Sequence, residues 1–134
     1  MTKLMTIEGI GAVYNQKLQE AGVKTVEALL ERGATPQGRK ELAELTGAGA
    51  ERILDWVNRA DLYRIKGISE EYSDLLEAAG VDTVIELGQR NPENLHAKME
   101  EVNAEKKLVR RLPTAAQVSD WVRQAKGLPR KVSY

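Results

Sequence analysis

The sequence predicts an all-α protein built as two similar halves, and three observations carry that reading. The stretch from Ile7 to Leu29 returns 58 residues later, with 11 of 23 positions identical. Apolar residues recur at helical spacing, with Val13, Leu18 and Ala21 on one stripe, Val26, Leu29 and Leu30 on a second, and Ile53, Trp56, Val57 and Ala60 on a third. Strand-like alternation is absent, and the punctuation belongs to helices: Thr35 and Asn91 are N-cap types, each followed by proline, while Gly22 and Gly80 stand where a helix ends in a left-handed residue.

Taken in order, each half reads as a short lead-in, a glycine-containing turn, a helix, a tight turn at "AGV", and a helix begun by Thr25 or Thr83. A helix opened by Pro36 or Pro92 follows, then a last helix bearing Asp55–Trp56–Val57 or Asp120–Trp121–Val122. Pro36 to Trp56 is 20 steps and Pro92 to Trp121 is 29, so the second half carries an insertion near residues 100–111, where "EKKLVRR" lies. The expected boundaries are therefore 1–60 and 61–127, with 128–134 as a basic tail that is either flexible or ordered. The two repeats are expected to pack together, with Trp56, Trp121, Tyr14 and Tyr72 in the core.

Composition removes several function classes. Zero Cys excludes disulfides, thiolate nucleophiles and cysteine metal ligands, and the lone His96 cannot by itself form a metal site or a catalytic triad. His96 stands in a polar helix start and is expected to be solvated, without partners. A non-enzymatic protein with no cofactor and no metal is the expectation. No run of eighteen apolar residues occurs, and Glu8 interrupts the N-terminal stretch, so the expectation is a cytoplasmic protein with no membrane contact. The formal charge of zero conceals a division: residues 1–97 carry 11 Lys/Arg against 16 Asp/Glu, and residues 98–134 carry 9 against 4. Either a basic region meets a polyanion, or two faces attract one another or a partner.

The glycines carry the functional argument. "IEGIG" (Ile7–Gly11) and "LTGAG" (Leu45–Gly49) place apolar-x-Gly-x-Gly directly before a helix. Such a turn leaves the first amides of the next helix without intrachain acceptors, and the helix dipole favours an anion there. The bland reading is a tight connection and nothing more. Gly11 and Gly49 are expected to hold conformations or close contacts that a Cβ would disturb, while Ser69, the counterpart of Gly11, is expected in an ordinary region.

This pattern resembles the helix-hairpin-helix superfamily, whose hairpin amides hold the DNA backbone. Ile7–Glu8–Gly9–Ile10–Gly11 matches the motif in full, Leu45–Thr46–Gly47–Ala48–Gly49 has Ala at the second apolar place, Ile65–Lys66–Gly67–Ile68–Ser69 keeps one glycine and Leu112–Pro113–Thr114–Ala115–Ala116 keeps none. The layout is also similar to an uncharacterised bacterial domain-of-unknown-function family predicted to bind nucleic acid. The resemblance implies two tandem, SAM-like helical repeats and sequence-independent DNA binding through Gly9, Gly11, Lys17, Gly47, Gly49 and Arg52. The second repeat, with Glu70 and Glu71 at its helix start, is expected to be structural.

Lys107, Arg110 and Arg111 would share one face of a helix and form a phosphate stripe, or else remain solvated and pair with Glu100, Glu101 and Glu105. Two function classes follow. One is a DNA-binding module that contacts phosphates and not bases, and the other is a protein-interaction or self-association module without nucleic-acid binding.

Overall fold

The computed structural model describes residues 2–134. Among these it contains a 3-10 turn at Leu4–Thr6 and eight α-helices: α1 (Ala12–Glu20), α2 (Val26–Arg32), α3 (Pro36–Thr46), α4 (Ala50–Leu62), α5 (Glu70–Ala78), α6 (Val84–Gln89), α7 (Pro92–Lys106) and α8 (Ala115–Gly127). The described residues form no strand, only an isolated bridge between Lys3 and Thr25. No helix among them is long and apolar enough to cross a membrane. The chain divides into two units, one running through Asp61 and including Arg130–Tyr134, the other Leu62–Pro129.

In the first unit, capping chemistry sets the helix boundaries. The Thr25 side chain accepts from the Ala28 amide at 3.1 Å, and Thr35 accepts from Gly38 at 3.1 Å with Pro36 behind it. Helix α1 ends at "AGV" because Gly22 takes φ +89°, which lets the Gly22 amide reach Gln19 O (3.0 Å) and the Val23 amide reach Leu18 O (2.8 Å). That paired closure satisfies two carbonyls the helix would leave open, and Leu18 and Val23 are both buried beside it. The Arg32 guanidinium donates to Ala21 O at 3.0 Å and fastens α2 to the same corner. Leu4, Ile7, Leu29, Leu42, Ile53 and Val57 fill the core.

The second unit uses the same devices. Gly80 (φ +95°) closes α5 through Gly80 N to Glu77 O and Val81 N to Leu76 O, both 2.9 Å, and Arg90 reaches Ala79 O at 3.5 Å. Thr83, Asn91 and Thr114 cap α6, α7 and α8 with their side chains, and Gln117 completes a capping box on α8. Its core holds Leu75, Leu76, Leu87, Leu95, Met99 and Trp121, among others.

Two local expectations need correction. Lys107, Arg110 and Arg111 do not share a helix face: α7 stops at Lys106, and Lys107 turns left-handed at φ 52°. The cause is Asn103, whose side chain accepts from Val109 N (2.9 Å) and donates to Val109 O (3.1 Å), drawing buried Val109 back against the core. His96 is half-buried and partnered, with Nε2 2.9 Å from Pro113 O and Nδ1 3.1 Å from Glu100, so it ties α7 to the start of α8. Of the two alternatives left open for the C-terminal residues, the ordered one holds: Val132 is 2% exposed, and Ser133 N donates to Ala34 O at 2.8 Å in the first unit.

Candidate nucleic-acid interface

The first hairpin begins as a four-residue turn from Ile7 to Ile10, closed by Ile10 N to Ile7 O at 3.2 Å and anchored because both isoleucines are buried. Gly9 is its third residue, at φ +95°, the place where a type II turn demands positive φ. A Cβ there would also stand 3.2 Å from the Trp56 indole nitrogen. Gly9 is thus fixed by backbone and by packing.

Gly11 is different, and the expectation set on it fails. It is the N-cap of α1 in ordinary extended conformation (φ −86°, ψ −175°), its carbonyl accepts from Asn15 N at 2.9 Å, and no atom lies within 4 Å of where its Cβ would be. Gly49 likewise accepts from Ile53 N at 3.0 Å as the N-cap of α4, lies outside the left-handed region and faces open space. The glycine that needs its freedom in "LTGAG" is Gly47, which ends α3 at φ +76° with its amide on Ala43 O at 2.9 Å. Leu45, the first apolar position of that motif, is 58% exposed, so this connection is a helix end followed by a helix start and not the buried turn of the first hairpin.

The consequence at α1 is electrostatic. Gly11 provides no side-chain cap, and the first turn of α1 contains no acid, so the free amides of that turn meet no side-chain oxygen from it. The first turn of α4 carries Glu51, which weakens the second hairpin as an anion site. In the second unit Gly67 repeats the turn at φ +99°, but Ser69 at φ −121°, ψ −169° precedes Glu70 and Glu71. Ser69 sits in ordinary backbone, as expected.

Side chains join some of these pieces. Tyr14 packs edge-on against Trp56 with centroids 5.2 Å apart, and Arg52 Nη1 donates to Tyr14 OH at 3.0 Å with its guanidinium 5.4 Å from the ring. Exposed Lys17 brings Nζ to 3.8 Å from the Cβ position of Gly47. Gly9, Gly11, Lys17, Gly47, Gly49 and Arg52 all belong to the first unit; Gly9 and Arg52 meet through Trp56 and Tyr14, and Lys17 approaches Gly47. Lys107, Arg110 and Arg111 lie exposed in the second unit, on the loop after α7. There Tyr72 meets Trp121 at 5.3 Å, and its hydroxyl donates to Arg111 O at 3.0 Å where Tyr14 is met by an arginine side chain. Tyr14 as the residue positioning Arg52 escaped the sequence reading, because helical periodicity marks it only as a core candidate. The exposed Val13 (67%), one residue into α1, escaped for the converse reason: an apolar residue in a helix reads as inward-facing.

Asp120 on α8 has its carboxyl held below the usual carboxylate range by a hydrogen bond from the Gln124 amide and then by Arg123 beside it. Gln124 in turn clamps the backbone of Lys66 on both sides, accepting from its N–H at 2.9 Å and donating to its C=O at 3.1 Å. The second turn is thereby held from within its own unit.

Neither the curated proteins nor the solved structures contain a match to this chain. A family model does match, over residues 8–128, which spans both units. The chain belongs to the family described as "Domain of unknown function (DUF4332)".

Proposed function

We propose that the protein is a non-enzymatic, sequence-independent DNA-binding module of tandem helix-hairpin-helix type, in which the first hairpin holds a backbone phosphate. The observation that carries this reading is Gly11. Neither its backbone conformation nor its surroundings require a glycine there, yet the residue leaves α1 without a side-chain cap, and the first turn of α1 contains no acid. Thr25, Thr35, Thr83, Asn91 and Thr114 all cap with side chains. A phosphate oxygen needs amides that are unoccupied and unobstructed, and a glycine N-cap supplies both conditions. Lys17 and Arg52 add charge to the same unit, and contacts of this kind read the backbone and not the bases.

The test is fluorescence anisotropy of a labelled duplex as salt is raised. With roughly three or four phosphates neutralised, log K against log salt should slope by about −3 to −4, independent of sequence. No binding at low salt by protein that circular dichroism shows to be folded would overturn the reading and favour the interaction-module alternative.

A further inference from the structure

Residues Arg130–Tyr134 belong to the first unit, although the chain immediately before them builds the second. The handover is abrupt. Pro129 O accepts from both Arg64 Nη atoms at 3.2 Å within the second unit, and two residues later Lys131 Nζ meets Glu31 at 2.7 Å in the first. Val132 is buried, Ser133 donates both its amide (2.8 Å) and its hydroxyl (3.2 Å) to Ala34 O, and Tyr134 OH donates to Asn58 Oδ1 at 2.8 Å.

The centre of this cradle is Arg39, only 7% exposed. Its Nη1 donates to Gly33 O at 2.9 Å and its Nη2 to Ser133 O at 2.7 Å, while its guanidinium and that of Arg130 lie 5.8 and 5.6 Å from the Tyr134 ring. Withdrawing the segment would leave a buried guanidinium without one of its two carbonyls and uncover the seat of Val132. A buried cation short of an acceptor is costly, so the cradle favours occupancy.

Nothing in these contacts depends on the segment coming from the same chain. Their acceptor residues lie between Glu31 and Asn58, and the segment is a separate run of five, reached through a stiff Leu128–Pro129 connection. Val132, the Ser133 carbonyl and Tyr134 present the buried side chain, the acceptor and the hydroxyl in the order the cradle uses, and every copy of the protein carries them. We propose that the cradle also accepts the Arg130–Tyr134 segment of a second copy, so that the protein assembles by reciprocal exchange of this segment. Closure within one chain wins when dilute, through effective concentration, and exchange grows with protein concentration. The proposal is independent of the DNA-binding reading.

Two variants with complementary defects test it. Arg39→Ala disables the cradle and keeps the segment, and Val132→Asp disables the segment and keeps the cradle. Sedimentation of an equimolar mixture, refolded together at high concentration, should give a one-to-one heterodimer, while each variant alone stays monomeric. The second measurement uses the absence of cysteine from the chain. Ala34→Cys/Ser133→Cys, oxidised at rising concentration, should shift from an internally bridged monomer to a covalent dimer on a non-reducing gel, and adding Val132→Asp should abolish the dimer. A mixture that sediments as monomers overturns the proposal, whatever the gel shows. So does a double-cysteine protein that forms only the internal bridge at every concentration.

Discussion

Replacing each glycine of the first hairpin in turn should separate what the fold needs from what the surface needs. Gly9→Ala places a Cβ at φ +95° and 3.2 Å from the Trp56 indole nitrogen. The backbone cost alone is about 1–2 kcal/mol, and Trp56, packed against Tyr14 at 5.2 Å, must also give way. Gly11→Ser meets extended backbone and no atom within 4 Å, and serine is a favoured N-cap with a less mobile unfolded chain, so a gain of up to about 1 kcal/mol follows. For a unit this small, each kcal/mol moves the midpoint by about 4–8 °C. Calorimetry should therefore show Gly9→Ala melting well below wild type and Gly11→Ser at or above it. In the anisotropy assay the order reverses in meaning: on the proposed reading Gly11→Ser, though stable, should weaken duplex binding, because its side chain stands in the path of a phosphate approaching the first amides of α1. If Gly9→Ala melts like wild type, the turn geometry is wrong. If Gly11→Ser is stable and binds as before, the phosphate does not sit at the first hairpin.

The remaining expectations are briefer. Lys17→Glu should weaken duplex binding alike for all sequences and flatten the salt slope by about 1, as checked by the same titration. Thr114→Ala removes a capping box from α8 and should cost about 1 kcal/mol by urea denaturation. Lys107→Gly relieves a left-handed residue at φ 52° and should stabilise the second unit by about 1 kcal/mol. For Asp120 the sign is set by its lowered pKa: its contribution is present above the ordinary carboxylate value and is lost as pH falls through the folded value. Asp120→Asn should accordingly flatten the acid limb of a stability–pH profile and leave neutral DNA binding unchanged.

What the sequence made legible is what local chemistry decides. The N-caps at Thr25, Thr35, Thr83 and Asn91 each bond an amide three residues on, so residue type and position suffice to read them. The closures at Gly22 and Gly80 are equally local. Periodicity misled where a distant contact overrode it. The Lys106–Arg111 run reads as helix until Asn103 captures Val109, and no feature of the run itself announces that capture. His96 reads as solvated until α8 brings Pro113 O to its ring, and the choice between a flexible and an ordered C-terminal segment is made only by Arg39, 94 positions away, donating to Ser133 O. In the candidate site, the glycine pairs were visible, but which member of each pair the backbone requires was not, since that depends on turn type.

That last distinction explains why the second half loses a glycine. Gly9 and Gly67 are kept because positive φ and an indole at 3.2 and 2.8 Å leave no alternative in either unit. Gly11 and Ser69 occupy extended N-cap positions where either residue fits, so the backbone places no demand on the choice. What differs is the surface that follows: α5 opens with Glu70 and Glu71, whose charge suits the positive end of the helix dipole and would repel phosphate, whereas the first turn of α1 contains no acid. On the proposed reading no phosphate is held at α5, so a serine there costs nothing. Gly11 makes no side-chain cap where five other helices of this chain have one, and neither does Ser69 at the equivalent place, so on the proposed reading it is the acid-free first turn of α1 that makes an approaching phosphate favourable there and not at α5.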